Sequence, residues 1–161
     1  MLEALQSDLS MSFLATSPLV AAMRLLAAIV LTGLIGLERE WQGKPAGLRT
    51  HILVGLAAAL FVMLGQEVTH LDFGGTDDMR IDPLRLIEAV TAGVAFLAAG
   101  IIFTARGQVR NITTGASLWL SGAVGLGCGG GQIPLAAMAS VMVILVLLLL
   151  RQVERWLGWH D

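Results

Sequence analysis

Five long stretches of this chain are almost free of charged residues, and this feature constrains its fold more than any other. Each is close to the roughly 20 apolar residues that an α-helix needs to cross a bilayer. Since 56% of the 161 residues are hydrophobic and 14% are charged, we predict an all-α integral membrane protein with one transmembrane domain over residues 1–161. The five predicted spans cover residues 18–37, 48–64, 84–103, 112–129 and 133–150.

The basic residues of the short loops predict the orientation of the helices, because such residues stay on the cytoplasmic side. Those at one end of the spans are Arg39, Lys44, Arg49, Arg106, Arg110, Arg151 and Arg155. The opposite end carries Arg24, Arg80 and Arg85 with an acidic loop. We therefore place the N-terminus in the periplasm and the C-terminus in the cytoplasm. Glu3 and Asp8 replace the basic region of a signal peptide, so we expect the first span to be an uncleaved anchor.

The sequence offers little support for catalysis or for nucleic-acid binding. The net charge is −2, and no cluster of Lys and Arg is present to follow a phosphate backbone. Ser117 lacks the last glycine of a nucleophile elbow, and nothing in the sequence pairs it with His51. Cys128 has neither a second thiol nor a nearby histidine. We expect a non-enzymatic protein without a cofactor, in which Cys128 is a small packing residue.

Two ionisable side chains fall inside predicted spans, where a charge is costly unless it is paired or hydrated. Arg24 follows Pro18 and Glu88 follows Pro83 by similar numbers of residues, so both lie ~8–9 Å deep at ~1.5 Å per helical residue. We predict an ion pair between Arg24 and Glu88, with Arg85 as a competitor or third member. The alternative is that Glu88 lies in a water-accessible cavity as a proton or cation site.

Small residues recur at every fourth position of the fourth span, which places them on one face of a helix. Membrane helices associate through such faces because two backbones can approach closely there. The stripe comprises Thr113, Ser117, Ser121, Gly125 and Gly129. Its predicted counterparts on the third span are Ala89, Ala92, Gly93, Ala95, Ala99 and Gly100. Packing within or between protomers is the first interpretation, and the lining of a narrow polar path is the alternative.

Polar side chains are also dense around the turn between the first two spans, on the face predicted to be cytoplasmic. The candidate cluster comprises Glu38, Arg39, Glu40, Arg49, Thr50 and His51, with Arg110 from the loop before the fourth span. Two readings stay open for this cluster. It is either a satisfied interfacial network or a contact with a ligand or a partner protein.

The loop on the opposite side is acidic, and its carboxylates are the hard oxygen donors that Mg²⁺ and Ca²⁺ prefer. The acids are Glu67, Asp72, Asp77, Asp78 and Asp82. Their spacing matches no known calcium loop, so an acidic solvated loop is the first interpretation and a metal site is left undefined.

Three segments of the sequence carry a resemblance to a known family. They are GLIGLEREWQGKPAGLRTHILVGLAAAL at 33–60, FLAAGIIF at 96–103 and VRNITTGASLWLSGAVGLGCG at 109–129. In this combination the chain resembles the MgtC/SapB membrane-protein family over all five spans. The matching residues are Gly36, Glu38, Arg39, Gly47, Arg49, Thr50, His51, Gly93, Phe96, Gly100, Arg110, Thr113, Thr114 and Trp119. Ala98 departs from the commoner F-L-G-A-G pattern, and the chain ends at Asp161 without the ACT-like domain of longer members.

The resemblance implies a bacterial inner-membrane protein tied to growth under Mg²⁺ limitation and, in some pathogens, to survival inside macrophages. Our first hypothesis is a non-enzymatic regulator that forms a homo-oligomer in the lipid bilayer and engages another membrane protein, such as the ATP synthase. The alternative is a small channel or transporter for Mg²⁺ or protons that uses Glu88 and Arg24. A purely structural scaffold is the third possibility.

Overall fold

Five helices and one short β-hairpin form the part of the chain that the computed structural model describes, which is residues 13–70, 82–105 and 108–158. The helices are α1 (Pro18–Trp41), α2 (Leu48–Val68), α3 (Pro83–Ile101), α4 (Ile112–Gly129) and α5 (Ile133–Trp156). The hairpin consists of β1 (Phe103–Ala105) and β2 (Gln108–Arg110) and joins α3 to α4. We call the end of the bundle that carries this hairpin and the α1–α2 turn the hairpin end.

Within the described ranges, four helices are long and apolar enough to cross a membrane: α1, α2, α3 and α5. The remaining helix, α4, lies at the centre of the bundle and contacts each of the other four. These neighbours bury one face of α4, and glycines and hydroxyl side chains make up much of that face. The prediction of an all-α membrane protein with five helices is confirmed.

The end of the third predicted span is wrong by two residues. α3 ends at Ile101, and Ile102 turns into an extended conformation with a ψ of 121°. Phe103 then pairs with Arg110 in the antiparallel hairpin. The Asn111 side chain closes the base of the hairpin, since its Nδ2 donates to the carbonyl oxygen of Ile101 over 3.2 Å.

The interior consists of two clusters of buried apolar side chains on either side of α4. One lies among α1, α2, α4 and α5 and contains Ile35, Val124 and the fully buried Cys128. Cys128 is therefore a packing residue, as expected from the sequence. The other cluster includes Leu118 of α4 and Val94 of α3. α3 contacts α2 only loosely, and an apolar groove of about 410 Å³ separates the two helices.

Candidate functional site

Helices α2 and α4 lie in backbone contact, and this contact closes the centre of the bundle. A Cβ atom on Gly125 would overlap the carbonyl oxygen of Gly55, and one on Gly129 would overlap that of Ala59. Gly55 in turn packs against the side chain of Thr32 on α1. Three helices therefore meet around Gly55, with no space for a side chain at the contact.

The small-residue stripe of α4 faces α2, which corrects the predicted pairing with α3. Ser117, Ser121, Gly125 and Gly129 are buried, whereas Thr113 is exposed. On α3, Gly93 and Gly100 have no neighbouring atom within 4 Å of the position of a Cβ. The alanines predicted as counterparts are exposed too: Ala89, Ala92, Ala95 and Ala99.

The contact between α3 and α4 pairs a bulky side chain with a glycine. A Cβ atom on Gly122 would lie only 2.9 Å from the Cγ2 atom of Val94. A Cβ atom on Gly115 would lie only 2.8 Å from the Cδ1 atom of Ile102. The prediction that small residues of α3 pack against small residues of α4 is therefore wrong. Branched side chains on α3 and on Ile102, the residue after it, fill the hollows that the glycines of α4 leave.

His51 lies fully buried near the hairpin end and links α2 to α4. Its Nδ1 lies 2.8 Å from the carbonyl oxygen of Gly47, and its Nε2 lies 3.1 Å from the hydroxyl of Ser117. A carbonyl only accepts, so Nδ1 carries a proton. The single proton of the Ser117 hydroxyl has two acceptors within reach: the carbonyl oxygen of Thr114 at 2.9 Å and, in the neutral ring, the Nε2 of His51.

Nothing in the sequence paired Ser117 with His51, and the structure brings the two side chains within hydrogen-bond distance. The two residues are far apart in the sequence, but each lies near the start of its helix, and both helices start at the hairpin end. The similar distances of His51 and Ser117 from the starts of their helices are the sequence signal from which this contact could have been predicted. Gly36 of α1 also belongs to the site, because a Cβ there would lie 2.8 Å from the Cβ of His51.

Glu38 and Arg39 form a buried ion pair beside this network. The Nε of Arg39 lies 2.6 Å from the Oε2 of Glu38, and the two side chains are only 3% and 6% exposed. Gln42 donates its Nε2 proton to the other carboxylate oxygen of Glu38. Both charges are thus compensated inside the protein, which burial of a charge requires.

The predicted polar cluster is divided by the fold. Glu38, Arg39 and His51 are buried, Thr50 is half-buried, and Arg49 and Arg110 are exposed. Glu40 of the same cluster is exposed, and its Oε2 accepts from the backbone N–H of Leu48 over 2.7 Å, a contact that the sequence did not predict. A carboxylate is favourable there because the first amides of a helix lack internal partners. The available signal was an acidic residue close to the start of the next helix.

Arg24 does not pair with Glu88, so that prediction is wrong. Its Nη1 donates to the Oε1 of Gln66 and to the carbonyl oxygen of Gly129, each over 3.0 Å. Gly129 ends α4, and carbonyls at the C-terminus of a helix carry negative partial charge. Glu88 and Arg85 are exposed on α3, and neither forms an ion pair with a described residue.

Two of the five acids from the predicted outer loop are described, and both have structural partners. The Oε2 of Glu67 accepts from the backbone N–H groups of Leu14 and Ala15, and Asp82 caps α3 by accepting from the N–H of Leu84. Among the described residues, no group of three or more His, Cys, Asp or Glu could hold a metal ion. Glu3, Asp8, Asp72, Asp77, Asp78, Arg80 and Arg106 lie outside the described residues.

Comparison with known proteins finds relatives over most of the chain. The protein MgtC of Brucella abortus strain 2308 is 43% identical over 127 residues, which is 79% of this chain and 50% of that protein. YhiD of Escherichia coli K12, named as a candidate magnesium transporter, is 39% identical over 125 residues, 78% of this chain and 58% of that protein. The protein MgtC of Salmonella typhimurium 14028s is 38% identical over 130 residues, 81% and 52% of the two chains.

The chain spans about half the length of the curated relatives it matches. No solved structure matches it. Its membrane-crossing helices and its bacterial relatives identify a multi-pass protein of the bacterial inner membrane. The model of the MgtC family matches residues 25–156, which is most of the sequence. The chain therefore belongs to the MgtC family.

Proposed function

We propose that this protein is a membrane-embedded regulator in adaptation to Mg²⁺ limitation, and that it acts on another inner-membrane protein rather than carrying Mg²⁺. The backbone contact between α2 and α4 is the observation that carries this proposal. It occupies the centre of the bundle and leaves no room there for a hydrated cation. The narrow polar path considered for the stripe of α4 therefore receives no support.

The positions of the buried polar groups support the same conclusion. The His51 network and the Glu38–Arg39 pair lie towards one end of the bundle, and Arg24 lies near the other, at the C-terminus of α4. Between them, Thr32 and Ser140 donate to carbonyl groups of their own helices. Ion pathways are lined by polar groups that face a cavity. The hydroxyls of Thr32 and Ser140 bond within their own helices and do not form such a lining.

The connection to magnesium comes from the relatives. The chain belongs to the MgtC family, and the YhiD protein is named as a candidate magnesium transporter. The partner is proposed from the family resemblance, with the ATP synthase as the first candidate. We also expect the exposed helix faces to contact the surrounding lipid and other copies of this chain.

The test combines a deletion strain with a direct assay of flux. At graded Mg²⁺ concentrations, we expect the deletion strain to stop growing at low Mg²⁺ with normal total cell Mg²⁺ and raised ATP. Both the wild type and Glu88→Gln should restore growth, because Glu88 is exposed and has no partner in the described structure. Glu154→Gln on α5 is the matched control.

The flux assay uses the purified full chain in lipid vesicles that contain a Mg²⁺-sensitive dye. We expect the Mg²⁺ signal to match that of empty vesicles, with and without a membrane potential. Saturable entry of Mg²⁺ into the vesicles would overturn the proposal of a regulator and support transport. The same conclusion would follow if the deletion strain lost cell Mg²⁺ and Glu88→Gln failed to restore it.

A further inference from the structure

A polar cavity of about 360 Å³ opens at the hairpin end of the bundle. It lies between the α1–α2 turn, which contributes Lys44, and the start of α4, which contributes Thr113 and Thr114. Its volume is within the range of small-molecule sites in proteins. We propose that this cavity binds a phosphate group, from the headgroup of an anionic phospholipid or from a soluble phosphate.

The charge of the cavity points to an anion. Lys44 and Arg110 are the charged residues that line it, and no described carboxylate shares the lining. Neither cation forms an ion pair within the described ranges. The hairpin positions Arg110, which is the last residue of β2 and pairs with Phe103. Basic pockets among membrane helices recognise phosphate-bearing headgroups in this way.

The first turn of α4 adds backbone donors to these cations. Asn111 is the N-cap residue and has a φ of 65°, and its side chain makes no capping hydrogen bond. It binds the carbonyl oxygen of Ile101 instead. The first amides of α4 are therefore without the side-chain acceptor that usually satisfies them. They also lie at the positive end of the helix dipole, which favours an anion.

Thr114 is a separate indication of a ligand. It is only 1% exposed, yet it lines the cavity. Other buried hydroxyls, such as those of Thr32 and Ser140, donate to a carbonyl four residues earlier. The Thr114 hydroxyl has no hydrogen-bond partner among the described residues. It is therefore free to donate its proton to a phosphate oxygen in the cavity.

The first experiment measures lipid selectivity in the full chain. The protein is purified in a neutral detergent, exposed to equal amounts of phosphatidylglycerol and phosphatidylcholine, and examined by native mass spectrometry. We expect wild type to retain phosphatidylglycerol about thirtyfold more than phosphatidylcholine, as two basic residues near an anionic headgroup predict. Lys44→Gln with Arg110→Gln should abolish this preference, and Thr114→Val should weaken it.

The matched control removes the same charge from the same end of the bundle. Arg49→Gln with Arg155→Gln leaves the cavity intact, because neither residue lines it, and should keep the preference. Thermal unfolding of each variant verifies that the cavity variants are folded. Equal loss of phosphatidylglycerol in the control and cavity variants would overturn the site in favour of diffuse charge attraction.

A second experiment separates the two sources of phosphate. Inorganic phosphate is titrated calorimetrically into the lipid-free protein in the same detergent. If wild type binds inorganic phosphate, the double variant Lys44→Gln with Arg110→Gln does not, and wild type shows no lipid selectivity, the site binds a soluble phosphate. Lipid selectivity without binding of free phosphate assigns it to a headgroup. If neither probe binds wild type better than the double variant, the proposal is wrong.

Discussion

Arg24 shows how a single cation is accommodated inside the bundle without a carboxylate. Its guanidinium binds one amide oxygen and one backbone carbonyl, both from residues at the end of the bundle where α1 begins and where α2 and α4 end. The position of Arg24 towards this end of the bundle could be predicted from the sequence. The direction of the side chain could not, because it depends on how α1 is rotated against α2 and α4.

We therefore expect Arg24 and Glu88 to differ sharply when each is replaced. Arg24→Leu removes hydrogen bonds from a charged donor and should reduce the free energy of unfolding by about 1.5–3 kcal/mol. Glu88→Gln should leave it within about 0.5 kcal/mol, as is usual for exposed substitutions. Denaturant titration of the purified protein in detergent measures both, and equal losses would restore the ion pair predicted from the sequence.

At the scale of helices, the pattern of small residues predicted a packing face on α4 but not its partner. The face is set by a period that the sequence displays, whereas the partner depends on the arrangement of all five helices. The hairpin was missed for a different reason. Strands as short as Phe103–Ala105 show too few residues for an alternating pattern, and they follow the apolar α3 directly.

The contact between α2 and α4 gives a prediction at this scale. Gly125→Ala places a methyl group against the carbonyl of Gly55, and we expect a loss of about 1–3 kcal/mol in the free energy of unfolding. Gly93→Ala is the matched control, because α3 is open at that position and alanine is the better helix former. Thermal unfolding in detergent compares the two. A Gly125→Ala protein as stable as wild type would contradict the observed contact.

At the scale of the whole molecule, the described chain is a bundle with chemically different ends. Lys44, Arg49 and Arg110 are exposed at the hairpin end, whereas Gln132 and Asp82 lie at the opposite end. The distribution of Lys and Arg predicted this difference from the sequence, together with a cytoplasmic hairpin end. The cavity beside Lys44 could not be predicted, because it forms only where the α1–α2 turn and the hairpin meet.

The predicted orientation can be measured with single cysteines. Gln132→Cys should react with a membrane-impermeant maleimide in intact cells, and Lys44→Cys should react only after the inner membrane is permeabilised. Wild type supplies the background, because Cys128 is fully buried and should stay unlabelled. The reverse labelling pattern would show that the hairpin end faces the periplasm.

The central position of α4 also bears on how the protein is assembled. A ribosome makes α1, α2 and α3 before α4, so the backbone contacts of Gly125 and Gly129 form only once α2 has been made. We therefore expect α4 to dock against helices that are already present, and the aliphatic α5 to join the bundle last.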